Sequence, residues 1–392
     1  MLVETTCRTL GGGLTWIRKL FVGYLPSTGY TPICVYPVET PYDQRVMAYK
    51  KTDFIPFPSD SEQVLANLEA AYDQWHQSRQ VLAELPMSMF WQGKSGVEYL
   101  AVKELGNDNA TTKGARSPET EARFAAFTED KARAKQRSSD ADSLIDQRAR
   151  QYRALRMPAM TDGQGELLRA LDVAGLLRND LLVVGTNAFA AYETLCRVKF
   201  PAGNEPTQDF DLAWCRGSGV SLSQASPAAA DRKSLMAVLR SVDPTYDLNR
   251  KKPYQAVNRT GYEVELLAAP SMAPLPSSES FEPMVSLVEQ EWLLKGKAVF
   301  SVVATQRYRA CPLYVPDPRW MALHKLWLAQ KPERNIQKKP KDERQGLVLL
   351  DACRYFLTDL YPMDIDFVLE LPVELRDLFN DWAKQAGYKP SM

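Results

Sequence analysis

Apolar residues first fall into a regular pattern after Ser59-Asp60, where Val64, Leu65, Leu68, Ala71, Tyr72 and Trp75 recur at i, i+3/4 and i+7. That spacing, opened by a capping residue, predicts an amphipathic helix over roughly 60–84. A second helix is predicted over 117–156. Ser117 caps it, Pro118 takes the first turn, and Glu119 and Glu121 face the positive end of the helix dipole. From 164 the pattern turns to alternating helix and strand. Leu167, Leu168, Leu171, Leu176 and Leu177 mark a short helix ending near Gly175. Leu181-Leu182-Val183-Val184 is a buried-strand run closed by Gly185-Thr186. Helices are predicted at 187–196 and 235–242. Asp209-Phe210-Asp211-Leu212-Ala213-Trp214 and Tyr262-Glu263-Val264-Glu265-Leu266-Leu267 alternate with period two, as half-buried strands do. A Pro/Ser-rich loop over 270–283 leads to a mostly helical C-terminal region beginning near Arg319.

The 392 residues thus divide into four expected parts: an irregular extension (1–58), a helical N-terminal region (59–160), an α/β core (161–318) and a helical C-terminal region (319–392). The extension holds Gly11-Gly12-Gly13 and six prolines and sustains no period. Met47 followed by a polar lead-in reads as an alternative start, which would place 1–46 outside the native protein. The expected fold class is α/β (α+β), a small mixed β-sheet flanked by helices.

Composition narrows the chemistry. Two histidines, His76 and His324, are too few for a multi-histidine metal site. Six cysteines lie far apart with no C-x-x-C pair, which fits a reduced, cytoplasmic location better than a disulfide scaffold. No apolar run approaches the roughly 18–20 residues that span a bilayer, so no membrane partner is expected. Forty-eight Lys+Arg balance 48 Asp+Glu, yet 131–156 carries eight basic residues against three acidic, and 331–344 six against three. Each basic stretch reads either as a solvated helix face or as a contact for a polyanion.

The acidic residues are arranged more pointedly. Asp209 and Asp211 leave one face of their strand, and Glu263 and Glu265 leave one face of theirs. Like charges side by side are unfavourable unless a cation sits between them. Three carboxylates from neighbouring strands suit two Mg2+ ions, which lie ~3.5–4 Å apart in phosphoryl or nucleotidyl transfer. Gly185-Thr186, between a buried strand and a helix N-terminus, suits a phosphate chain. Asp364-Ile365-Asp366 repeats the acidic spacing but lacks the upstream strand, Gly-Thr and helix. His324, among Leu323, Leu326 and Trp327, reads as a packed residue rather than a base, and Trp214 and Trp320 as core.

The order of these pieces resembles the polymerase-β-like nucleotidyltransferase superfamily. Val184-Gly185-Thr186-Asn187-Ala188, Thr207-Gln208-Asp209-Phe210-Asp211-Leu212 and Asn258 through Leu266 resemble its bacterial NTP_transf_8 branch. Phe90-Trp91, Glu98-Tyr99-Leu100, Ser117 to Glu121 and Leu323-His324-Lys325-Leu326-Trp327 are similar to it as well. The resemblance implies transfer of a nucleoside monophosphate from an NTP to a hydroxyl acceptor, with Mg2+ (or Mn2+) as cofactor. Asp209 and Asp211 would bind the metals and Glu265 complete the triad, with Glu263 as a substitute. Gly185 and Thr186 would hold the triphosphate, and Lys325 and Lys341 would neutralise its charge. Toxin-type relatives act on tRNA, so tRNA or another RNA is the expected acceptor ahead of a protein or small molecule, and an antitoxin-like protein is a candidate partner. A quiet nucleotide sensor or interaction module on the same fold is the alternative.

Overall fold

A computed structural model describes residues 48–104, 109–201, 209–215, 234–272 and 287–391. The 1–46 extension, Thr207-Gln208 and most of the Pro/Ser-rich loop lie outside those residues.

A two-residue strand, β1 (Ile55–Pro56), precedes the first helix, α1 (Ser61–Glu84). Leu65, Leu68, Ala71, Tyr72 and Trp75 of α1 are buried, as their spacing requires. The second helix, α2 (Pro118–Ala154), opens on a capping box: the Ser117 hydroxyl accepts from Thr120 N–H and Thr120 Oγ1 from Ser117 N–H. The helices run antiparallel, because Trp75 donates to Asp142 (2.8 Å) while Lys131 reaches the Pro86 carbonyl (2.8 Å) at the far end of α1. Between them the chain forms an antiparallel meander, β2 (Ser88–Lys94), β3 (Val97–Lys103) and β4 (Thr111–Ala115). Region 59–160 is therefore not helical throughout.

The core continues through β5 (Ala159–Met160), α3 (Asp162–Val173), α4 (Leu176–Asn179) and β6 (Leu181–Val183). A 3-10 turn over Gly185–Ala188 leads into α5 (Phe189–Cys196), followed by β7 (Val198–Lys199). Next come β8 (Asp209–Trp214), α6 (Leu235–Val242), β9 (Asp247–Asn249), β10 (Lys252–Val257) and β11 (Glu263–Ala268). A short α7 (Gln290–Leu293) precedes the hairpin β12 (Val299–Thr305) and β13 (Ala310–Val315). Four helices finish the chain: α8 (Pro318–Gln330), α9 (Lys339–Phe356), α10 (Ile365–Glu370) and α11 (Val373–Ala386).

Five strands form the mixed sheet that carries the site, in the order β6-β8-β11-β10-β9. Its neighbours are antiparallel except β8 and β11, which run parallel. Smaller sheets, β13-β12-β5 and β1-β7, complete the core. The mixed α/β class, with small sheets and flanking helices, is the one expected. Phe210, Leu212, Val264 and Leu266 are fully buried on the inner face of the five-stranded sheet. Each such side chain contributes about 1.5–3 kcal/mol of transfer free energy, so the acids on the alternate positions are held by a firm backing.

The C-terminal helices close against this core. An added Cβ at Gly346 of α9 would lie 2.5 Å from Leu326 Cγ and 2.8 Å from the Ala322 carbonyl of α8, so glycine permits the close approach of the two helices. Phe54 and Phe57 pack into the same core, and Asp351 of α9 accepts from Tyr49 N–H (2.6 Å). Among the described residues no helix is long and apolar enough to cross a membrane.

Candidate active site

The parallel pairing of β8 with β11 sets Asp209 opposite Glu263 and Asp211 opposite Glu265. Because partners in register share a sheet face, four acidic positions stand in two rows. Asp209 is placed by its backbone alone; its side chain lies outside the description. The register follows from a turn: Asn258 Oδ1 accepts from Thr260 N–H and Tyr262 N–H, and Gly261 takes φ +80°, so β10 turns directly into β11.

β10 also supplies a residue that the sequence reading missed. Gln255 lies opposite Glu265 and is only 1% exposed. Its amide nitrogen donates to Glu263 Oε2 (2.8 Å) and to Glu265 Oε1 (2.9 Å), while its oxygen accepts from Asn249 (2.7 Å). One neutral amide thus draws two carboxylates together and leaves each with its second oxygen unused by any described group. Counting back across the 258–261 turn from Glu265 leads to Gln255, which is the one signal in the sequence that could have found it.

The Gly185 turn sits over this face. Val184 N–H donates to the Asp211 carbonyl (3.0 Å). Gly185 takes φ +70°, and a Cβ there would come within 2.4 Å of Asp211 Oδ2. A side chain would therefore be strained and would press on the carboxylate. Thr186 follows, nearly buried, and its hydroxyl accepts from Gln345 Nε2 of α9 (3.2 Å). Gln345 is fully buried and its Oε1 has no hydrogen-bond partner. Beside it, Asn187 Oδ1 accepts from Gln164 (3.0 Å), so buried amides from α3 and α9 brace the turn on both sides.

The two predicted lysines differ in setting. Lys325 is buried, and its ammonium meets Asp342 at 2.9 Å, a carboxylate that also takes Arg334 at 2.6 Å. Lys341 is half-exposed, one helical turn before Gln345 and so on the same face of α9. The structure brings Gly185, Thr186, Asp211 and Glu265 together, with Asp209 in register beside them, and holds Lys325 in its own ion pair.

Other groups take packing roles. His324 is buried between Trp292 and Trp327, and burial holds its imidazole down to about 3, so it stays neutral. Asp364 caps α10 by accepting from Phe367 N–H (2.9 Å). Trp214 and Trp320 are core residues. Much of the charge in the two basic stretches is engaged locally, as in Lys331 with Glu289 (2.6 Å) and Arg133 with Asp130 (2.6 Å).

Among the described residues no three acidic, histidine or cysteine side chains already converge on one cation. What fits a divalent cation is the donor set: hard carboxylate oxygens, two of them with a free lone-pair face, on a rigid sheet. Phosphate-compatible backbone beside such oxygens is an arrangement suited to handling a nucleoside triphosphate.

No curated protein and no solved structure matches the chain. The nucleotidyltransferase family NTP_transf_8 matches residues 163–364, from α3 to the residue that caps α10, which leaves α1, the meander and α2 outside the match. The matched region spans just over half of the chain and contains β8, β11, the Gly185 turn and α9. The chain belongs to the NTP_transf_8 nucleotidyltransferase family and is a transferase enzyme.

Proposed function

We propose that this nucleotidyltransferase moves a nucleoside monophosphate from an NTP to a hydroxyl of an RNA, with tRNA first among acceptors, and releases pyrophosphate. The parallel register of β8 and β11 beneath the Gly185 turn carries the reading, because it sets acidic rows next to a phosphate-accepting backbone. Asp209, Asp211 and Glu265 are the catalytic carboxylates and hold Mg2+ or Mn2+. The bound ions supply positive charge where the α-phosphate and leaving pyrophosphate become more negative.

The chain's own groups bind and orient. Gly185 and Thr186 receive the triphosphate at the head of the turn into α5. Gln345 fixes the Thr186 hydroxyl, and Gln255 fixes Glu265 and Glu263. Lys341 answers phosphate charge from the first turn of α9, and Lys325, through Asp342, secures that turn against α8. The acceptor oxygen attacks the α-phosphorus, the bond to the bridging oxygen of pyrophosphate breaks, and the hydroxyl proton passes to water. The acceptor preference rests on analogy with tRNA-directed, toxin-type branches of the superfamily, which also motivates a search for an antitoxin-like partner in the cytoplasm.

The test is incubation with each of four α-labelled NTPs, Mg2+ or Mn2+, and total RNA or protein. Label should appear on RNA with wild type and vanish with Asp209→Ala and Asp211→Ala. Label on protein alone would overturn the acceptor assignment. Tight NTP binding with no transfer to any acceptor would overturn the enzymatic step.

A further inference from the structure

Helices α1 and α2 form an arm. Near its root Arg309 holds Asp146 of α2 at 3.3 Å. Further out Lys131 meets Pro86 where α1 has ended, so α2 runs on alone to Pro118 for roughly 20 Å. From Asp146 to Pro118 the helix covers about 40 Å. The β2–β4 meander packs on that overhang with one face only. Trp91 lies 5.8 Å from Phe124, Leu100 and Val102 are fully buried, and Arg116 stacks over Trp91 while pairing with Glu98.

The opposite face is open at Phe90, Gln92, Lys94 and Val97, half-buried at Tyr99 and Lys103, and closed at Ala101, which is fully buried. Its register sets Phe90, Gln92 and Lys94 of β2 beside Ala101, Tyr99 and Val97 of β3. Phe90 is 40% exposed, Tyr99 is half-buried, and the two are diagonal neighbours on the sheet. Lys94 on this face and Lys103 at its end form no ion pair among the described residues, whereas the sheet's Glu98 is already taken by Arg116. Flat rings beside ammonium groups that no described carboxylate pairs with match a ligand that is both aromatic and polyanionic. An apolar protein partner would bury the ammonium groups without counter-charge.

We propose that the outer face of the meander binds a single-stranded stretch of RNA, with bases stacked on Phe90 and Tyr99 and phosphates met by Lys94 and Lys103. A sheet carrying exposed aromatics and lysines binds single strands because stacking tolerates any base and phosphate contacts follow the backbone. The role in catalysis rests on the RNA-acceptor reading above, with the arm holding the acceptor at a distance from the carboxylates; the binding itself does not depend on transfer.

The experiment is fluorescence anisotropy of the full chain with a labelled 20-nucleotide oligouridine RNA across a salt series. Stacking and charge give different signatures. Phe90→Ala/Tyr99→Ala should weaken binding roughly 5- to 100-fold with an unchanged salt slope. Lys94→Glu/Lys103→Glu should weaken binding and also flatten the slope, by about 0.7 per lost phosphate contact. Reversing two exposed lysines of the C-terminal region, Lys384→Glu/Lys389→Glu, should change affinity less than twofold. Circular dichroism establishes that each variant keeps its fold. Failure of the wild-type chain to bind the oligomer at low salt overturns the proposal, as do tip variants that bind like wild type. Equal competition by polyglutamate, with nothing lost in the aromatic variant, assigns the face to an acidic protein and overturns it too. RNA binding by the wild-type chain without label transfer sinks the transfer reading alone.

Discussion

Gln255 shows how a neutral residue can govern a cluster of charges. Its amide holds Glu263 and Glu265 at 2.8 and 2.9 Å, and residues that orient ligands in this way typically carry a 10- to 100-fold effect on metal affinity. Gln255→Ala should therefore raise the Mn2+ concentration needed for half-maximal thermal stabilisation about tenfold while leaving the apo melting temperature within a few degrees. Gly185→Ala adds a Cβ at φ +70° and 2.4 Å from Asp211 Oδ2. It should lower transfer at least 100-fold and destabilise the fold by about 1–3 kcal/mol, read in labelled-NTP turnover and urea unfolding. His324 reports through pH. Its folded-state value is about 3 against an ordinary 6.5, so the unfolded chain binds a proton between those values and the folded chain does not. Stability from this group is full above about 6.5 and is lost as pH falls toward 3. Neither ring nitrogen has a hydrogen-bond partner, so His324→Leu should be neutral or stabilising by about 1 kcal/mol at pH 7.5. It should also lose less stability than wild type between pH 7 and pH 5, seen as a shallower drop in urea midpoint.

The approach of α8 to α9 is set by a missing side chain. Gly346→Ala would push a methyl group into Leu326 and the Ala322 carbonyl. A loss of about 1–3 kcal/mol is expected in chemical unfolding, together with reduced nucleotide affinity, because Gln345 moves with the helix and with it the support for Thr186. Elements with strong periods were legible in advance: α1 and α2 end within two residues of expectation, and the β8 and β11 alternations became a parallel pair. The meander was not legible, for a physical reason. Phe90-Trp91 and Tyr99 through Val102 place apolar residues on consecutive positions, because one face packs on α2 and the other carries exposed rings, so no two-residue alternation appears. The register that brings Glu265 beside Asp211, and the reach of Gln345 from α9, join residues 54 to 159 positions apart, which local pattern does not encode.

The described residues form two apolar centres of unequal size. Leu100 and Val102 of the meander, with Trp91 and Phe124, form a small cluster that does not join the main core. A small core opens more easily, so amides of 88–103 should exchange with solvent faster than those of β6 and β8 in mass-spectrometric hydrogen exchange, with protection of the meander gained on adding oligouridine. The working parts of the main core are spread along the chain in a telling order. The Gly185 turn and the acidic strands are complete by Ala268, yet the buried glutamine under Thr186 sits in α9 and the lysine one turn before it. A chain ended before α9 would therefore carry both acidic strands without the buried amide that holds the Thr186 hydroxyl beside them.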